Sequence, residues 1–330
     1  MASIKKVAVT GGSGQIAYSL LFRIANGDLF GKEQQIDLRI CDLPEMTDAL
    51  EGLAMELADC AFPLLHKVTI GHNLSEMFDD IELALLVGAK PRTKGMERGD
   101  LLQENGKIFV GTGRALNEAA RKDAKIIVVG NPCNTNCLIT MHHAPKLLRK
   151  NFHAMTRLDQ NRAAALLATK ANVPVESVRK LSIWGNHSAT QVPDYTQVEI
   201  GTKRAVDLIQ DQHWLQQEFI SQVQGRGAEI IAKRGKSSAA SAASSLIDAT
   251  RALYETTREG DWYSSAVCTD DNPYGIEEDL IFSFPLRTDK KGNYEIVKGL
   301  EWDFFIKERI AVTQRELLEE KSHIAHLLKG

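Results

Sequence analysis

Five short runs in the first half of the chain are apolar at nearly every position: "KVAVT" (6–10), "IDLRICDL" (36–43), "VTI" (68–70), "LALLVGA" (83–89) and "KIIVVGNP" (125–132). A strand with one face in water alternates apolar and polar side chains, whereas a strand covered on both faces has no polar side to show. The pattern therefore predicts parallel strands sandwiched between helices. Ile16, Leu20, Leu21 and Ile24 recur at a helical period between the first two runs, as a crossover helix requires. The fold class is α/β, a doubly wound parallel sheet.

After about residue 156 the texture changes. Helical patterns cover residues 161–171 and 212–233 and the small-residue run "SSAASAASSLIDATRALYE", whose Leu246, Ile247 and Leu253 continue an apolar stripe. "IFSFPLRT" and "YEIVKGL" flank the turn "DKKGN" and predict an antiparallel hairpin, and an amphipathic helix over 302–328 closes the chain. This reads as two domains, 1–156 with the parallel sheet and 157–330 with an α+β texture.

"KVAVTGGSGQIAYSLL" sets a strand, a glycine turn and a helix in the order of a Rossmann dinucleotide site. Gly12, Gly14 and Ala17 fit one glycine register, and Gly11, Gly14 and Ala17 fit another. In both, glycine lets the backbone approach a pyrophosphate, whose charge meets the free N–H groups at Gln15, Ile16 and Ala17 on the positive end of the helix. Asp42 ends the second strand, where a carboxylate accepts hydrogen bonds from ribose hydroxyls and repels a 2′-phosphate, favouring NAD over NADP. It lies well beyond the usual ~20 positions from the turn, consistent with the long connection "ANGDLFGKEQQ". A plain structural turn, with Asp42 as a strand-end acid, is the alternative.

Three later segments place polar residues where packing has no use for them. "KPRTKGMERGD" (90–100) carries Arg92 and Arg98 among a proline and two glycines, "MTRLDQNRAAALL" carries Asp159 and Arg162, and "LSIWGNHSATQVPD" carries His187. Singly, each has an ordinary reading: solvated loop charges, a helix cap, a structural histidine. Jointly they suit a 2-oxo acid. A histidine backed by a carboxylate is a general acid and base with a raised pKa. Arg162 can grip the acid's carboxylate through paired hydrogen bonds, and Arg98 can stabilise charge on the ketone oxygen. If Arg92 faces a second carboxylate, the substrate is a four-carbon dicarboxylate.

Composition narrows the setting. Of 330 residues, 43% are hydrophobic and 25% charged, as in an ordinary globular protein. A formal charge of −3 provides no general attraction to nucleic acid or an anionic bilayer. No apolar run reaches the ~20 residues of a membrane span, and "MASIKKVAVT" runs from two lysines into a strand without a signal peptide. Five scattered cysteines read as reduced thiols, and Cys133 and Cys137 lack a second pair at zinc-like spacing, so no metal is expected. A cytoplasmic protein follows.

"TGGSGQIA", "CDL", "VGAKPRTKGMERGDLL", "GNPCNTN", "TRLDQNRA", "IWGNHSATQVPD" and "YGIEEDLIFSFP" fall in the same order as in malate dehydrogenases, and nearly the whole chain resembles the cytosolic-type branch of that family. The resemblance implies NAD as cofactor, malate and oxaloacetate as substrates, and a homodimer. It makes His187 the proton carrier and Asp159 its partner, with Arg92, Arg98 and Arg162 on the substrate and Arg98 polarising the carbonyl. Asn131 would bridge substrate and nicotinamide, and Asn105 and Ser241 would line the site. The family's Arg92-bearing loop closes over substrate, for which the glycines at 95 and 99 supply flexible points. Gly12 and Ser13 replace the two alanines common in the family.

Two other readings compete. A lactate-type dehydrogenase shares His187, Asp159, Arg162 and Arg98 but usually carries glutamine where this chain has Arg92. A non-catalytic NAD-binding sensor would keep the fold without needing the histidine, the aspartate and three arginines.

Overall fold

The computed structural model describes residues 3–90 and 98–329, with Arg98 described by its backbone alone. The first half alternates strand and helix: β1 (Lys5–Thr10), α1 (Gln15–Ala25), β2 (Ile36–Cys41), α2 (Thr47–Asp59), β3 (Leu65–Gly71), α3 (Leu74–Met77), β4 (Leu83–Leu86), α4 (Arg98–Ala119), β5 (Lys125–Val128), α5 (Cys133–His142) and β6 (Phe152–Ala154). All five predicted runs form strands; β2, β4 and β5 stop short of their runs, β1 and β3 extend beyond theirs, and β6 joins them.

The parallel strands lie in the order β6, β5, β4, β1, β2, β3. Their continuous apolarity has a direct explanation in the side-chain period of two. Val7, Val9, Leu83, Leu85 and Ile127 enter one core, while the intervening Ala8, Ala84, Leu86, Ile126 and Val128 enter another on the opposite face. Ala17, Leu20, Leu21 and Ile24 are the buried stripe of α1.

The second half holds α6 (Arg157–Ala171), β7 (Val178–Arg179), β8 (Ser182–Trp184), β9 (Val192–Asp194), β10 (Glu199–Ile200), β11 (Lys203–Arg204) and α7 (Ala205–Ile209). A π-helical segment at Trp214–Phe219 then runs into α8 (Ile220–Arg234), followed by α9 (Ala240–Ala252), β12 (Tyr263–Cys268), β13 (Ile281–Thr288), β14 (Tyr294–Ile296) and α10 (Phe304–His323). Leu167, Ile183, Tyr195, Trp214 and Phe219 form a third core of its own.

The hairpin of "IFSFPLRT" and "YEIVKGL" forms as β13 and β14, antiparallel as predicted. It is not free-standing. β12 pairs antiparallel with both β6 and β13, so the sheet continues across the halves of the chain as nine strands. That junction brings α6, β8 and the loop after β8 against the carboxyl ends of the parallel strands. Among the described residues no helix is long and apolar enough to cross a membrane.

Candidate active site

β1 ends at Thr10, and the chain turns at Gly11 with φ of 68° before entering α1 behind Gly14. A Cβ on Gly11 would stand 2.6 Å from the Cα of Gly88, the glycine beyond β4, and one on Gly12 would stand 2.2 Å from Cγ2 of Ile40. β1 and β4 flank the point where the strand order reverses, the crevice in which open α/β sheets bind ligands. Only glycine lets the two strand ends approach this closely. Gly14 offers no capping side chain, so the first-turn N–H groups of Gln15, Ile16 and Ala17 lack intrahelical partners. A free helix end, a turn with no room for a side chain and a carboxylate alongside fit a dinucleotide.

That carboxylate is Asp42. One oxygen, Oδ2, accepts from the backbone N–H of Ser13 at 2.9 Å and from its hydroxyl at 2.7 Å, and Oδ1 accepts from the N–H of Leu43 at 2.8 Å. The serine that departs from the family's usual alanine therefore holds the acid against the turn.

Asp159 occupies the first turn of α6 and is fully buried. The N-cap position belongs to Thr156, whose hydroxyl hydrogen-bonds to that of Ser283, so a cap does not account for Asp159. Instead Asp159 accepts a hydrogen bond from Nδ1 of His187, another from Nε2 of Gln191 at 3.2 Å, and a longer one from Nη1 of Arg162 at 3.4 Å. Arg162 reaches it because residues three apart share a helix face. Its second amino nitrogen donates to the hydroxyl of Ser238 at 3.2 Å.

His187 follows β8 by way of Gly185 and Asn186. Its backbone N–H donates to Oδ1 of Asn134 at 3.0 Å, and the amide nitrogen of that fully buried asparagine donates to the carbonyls of Gly185 and Ile281. Burial by itself lowers the imidazole pKa, but the charge and hydrogen bond of Asp159 outweigh it and raise the pKa above the ordinary histidine value. An Nδ1–H bound to a carboxylate also fixes the tautomer, leaving Nε2 for exchange of a proton.

Of the remaining predicted site residues, Asn131 is exposed just past β5, and Ser241 is exposed near the start of α9. Ser241 and Arg162 together line a cleft of about 290 Å³ with Arg226 and Thr169. Asn105 is fully buried, its side chain clamping the backbone: Oδ1 accepts from the N–H of Lys90 at 2.8 Å, and Nδ2 donates to the carbonyls of Lys90 and Asn131. It joins the segment after β4 to the turn after β5, with both protons of its amide nitrogen engaged. Arg92 lies outside the described residues, and Arg98 contributes only the backbone start of α4. Cys133 and Cys137 are buried, and burial pushes both thiols up in pKa, away from the reactive thiolate.

The bond of Ser13 to Asp42, and the parts played by Asn134, Gln191 and Ser238, escaped the sequence reading. Each of these four is a small or neutral polar residue whose role depends on a partner far along the chain. The legible signal was confined to motif neighbourhood, since Asn134 lies in "GNPCNTN" and Gln191 in "GNHSATQVPD".

The family model of the lactate/malate dehydrogenase NAD binding domain matches residues 5–153, and that of the alpha/beta C-terminal domain matches residues 156–328. A malate dehydrogenase of Protochlamydia amoebophila is 56% identical over 98% of either chain. The crystal structure of malate dehydrogenase from Naegleria fowleri superposes with a TM-score of 0.95 at 41% identity over 99% of both chains. A lactate dehydrogenase of Trichomonas vaginalis, in complex with NADH and oxamate, superposes with a TM-score of 0.93 at 36% identity, covering 98% of this chain and 99% of that one. By both halves of its sequence, this chain belongs to the lactate/malate dehydrogenase family of oxidoreductases and carries that family's NAD-binding domain.

Proposed function

We propose that the enzyme interconverts (S)-malate and oxaloacetate with NAD, using His187 as proton carrier, Asp159 as its partner and Arg92, Arg98 and Arg162 as the groups that hold the dicarboxylate. The observation that carries this reading is the bond from Nδ1 of His187 to buried Asp159, with Arg162 on the same carboxylate. NAD would be held by the turn from Gly11 to Ala17, Asp42 and Asn131, with Asn105 supporting Asn131 from behind; when bound, its nicotinamide supplies the hydride acceptor.

The chain's own groups do the rest. In malate oxidation Nε2 of His187 takes the hydroxyl proton from the substrate, and Asp159 stabilises the imidazolium that results. In the reverse direction the protonated ring returns that proton to the ketone oxygen. Arg162 orients the substrate by a paired grip on the carboxylate beside the reacting carbon, Arg98 stabilises negative charge on the oxygen, and Arg92 meets the distal carboxylate. A homodimer in the cytoplasm, divided into domains after residue 156, belongs to the same proposal on the strength of the resemblance.

A lactate-type activity is the second reading, since the Trichomonas relative shares the fold at 36% identity. Arg92 separates the two. Steady-state rates with oxaloacetate and with pyruvate, each with NADH, test the proposal directly. Preference for pyruvate would transfer the protein to the lactate-type reading, and NADH binding without turnover of either substrate would make it a sensor.

A further inference from the structure

α10 carries an unexpected residue in its buried stripe. Ile306, Ile310, Thr313, Leu317 and Glu320 face inward at helical spacing, and Glu320 is only 3% exposed. A buried glutamate costs stability unless its oxygens are fully engaged. Those oxygens reach across two elements: Oε2 accepts from the hydroxyl of Thr135 on α5, and Oε1 accepts from Nδ2 of Asn186 at 2.9 Å.

Asn186 immediately precedes His187. The same Nδ2 also donates to Oε2 of Glu316 at 2.9 Å, one turn earlier on α10, and the N–H of Asn186 donates to the hydroxyl of Thr313 at 2.9 Å. On the far side of His187, the hydroxyls of Ser188 and Thr190 donate to Glu316 as well, the latter at 2.6 Å. Thr313 lies so near Gly185 that a Cβ there would meet Cγ2 of the threonine at 2.2 Å. Thus α10 grips the loop on both sides of the imidazole. Among the described residues, Glu320 links that grip to Thr135, the neighbour of the asparagine that accepts from the N–H of His187.

We infer that Glu320 is a positioning residue for proton transfer, acting through Asn186 on one side and Thr135 on the other to set the place of His187 relative to the turn after β5. This rests on the proton-carrier reading of His187. Misplacing a reacting group by about 1 Å can cost a hundredfold in rate, while substrate and cofactor contacts elsewhere persist. The expected signature is loss of kcat with binding preserved.

Glu320→Met keeps the volume but takes from Thr135 the carboxylate it donates to and leaves Asn186 Nδ2 with Glu316 in place of two carboxylates, and it is expected to lower kcat for oxaloacetate reduction about tenfold to a hundredfold. KM for oxaloacetate and Kd for NADH should stay within about twofold, and the primary isotope effect with 4-deuterated NADH should rise as chemistry becomes limiting. Glu320→Gln, which can accept from Asn186 and donate to Thr135, should restore most of kcat. If Glu320→Met does not fold, Thr135→Val carries the test, with kcat expected to fall about threefold at unchanged KM.

Unchanged kcat in Glu320→Met, or in Thr135→Val where Glu320→Met does not fold, would overturn the inference. So would a parallel loss of kcat, oxaloacetate affinity and NADH affinity, which marks general loosening. Normal turnover in His187→Asn would sink the proton-carrier reading itself and this inference with it, whereas an inactive His187→Asn beside a fully active Glu320→Met sinks the inference alone.

Discussion

Ser13 and Asp42 are joined twice, because the backbone N–H and the hydroxyl of the serine both donate to the same carboxylate oxygen. The acid at the end of β2 is thereby fixed against the glycine turn before any ribose arrives. A fixed negative charge at this place repels a 2′-phosphate more effectively than a swinging one, since it cannot turn away. Asp42→Ser is expected to raise the ratio of kcat/KM with NADPH to that with NADH by about tenfold or more, equivalent to about 1.4 kcal/mol. The same ratio in the variant and the parent would remove Asp42 from the ribose site.

The bond between His187 and Asp159 predicts a shape for the pH profile. Oxaloacetate reduction needs the imidazolium, which Asp159 stabilises in place, so activity is present at low pH and lost as pH rises through the raised pKa. In Asp159→Asn the burial penalty stands without its compensating charge. The falling limb should move to lower pH, and kcat should drop by about 10² to 10⁴. A profile of kcat/KM against pH for both proteins checks this, and coincident falling limbs would contradict it.

Substrate choice is assigned to Arg92. Leaving the distal carboxylate of oxaloacetate unpaired in a closed site costs about 2 to 5 kcal/mol, or roughly thirtyfold to several thousandfold in preference. Arg92→Gln should therefore depress kcat/KM for oxaloacetate far more than for pyruvate. Equal losses on the two substrates would discard the assignment.

His153 bears on stability instead of chemistry. It sits in β6 with Nδ1 against the hydroxyl of Ser265 at 3.2 Å and its ring edge-on to Tyr294, and burial, with Lys125 nearby, lowers its pKa to about 3. The folded state thus binds fewer protons than the unfolded state between the ordinary histidine value and about 3. The stability that His153 confers is complete above that ordinary value and declines as pH falls through this window, by at most about 1.4 kcal/mol per pH unit. Urea unfolding at several pH values should show a shallower acid decline for His153→Gln than for the parent, and identical slopes would rule out the residue as the source.

The sequence by itself determined the parallel half of the fold. β1, β4 and β5 are legible because both faces of each strand are buried, which removes the polar alternation and leaves runs such as "LALL" and "KIIV". The same holds for the hairpin β13–β14, whose turn residues announce it, and for the glycine turn, where backbone geometry restricts the residue. His187, Asp159 and Arg162 stood out for a related reason, as charged groups in segments where packing gives them no role.

Tertiary structure alone decided what those groups touch. The antiparallel pairing of β12 with β6 sets Ala266 beside Ala154, positions so far apart in sequence that no local pattern announces it; it makes one sheet of the two halves and carries the His187 loop to Asp159. Asn134, Gln191 and Glu320 gained their roles from the same long-range closure. Hydrogen bonds depend on direction and distance between atoms that the chain brings together only on folding, whereas burial of a strand or the room for a Cβ in a turn is written into each residue where it stands.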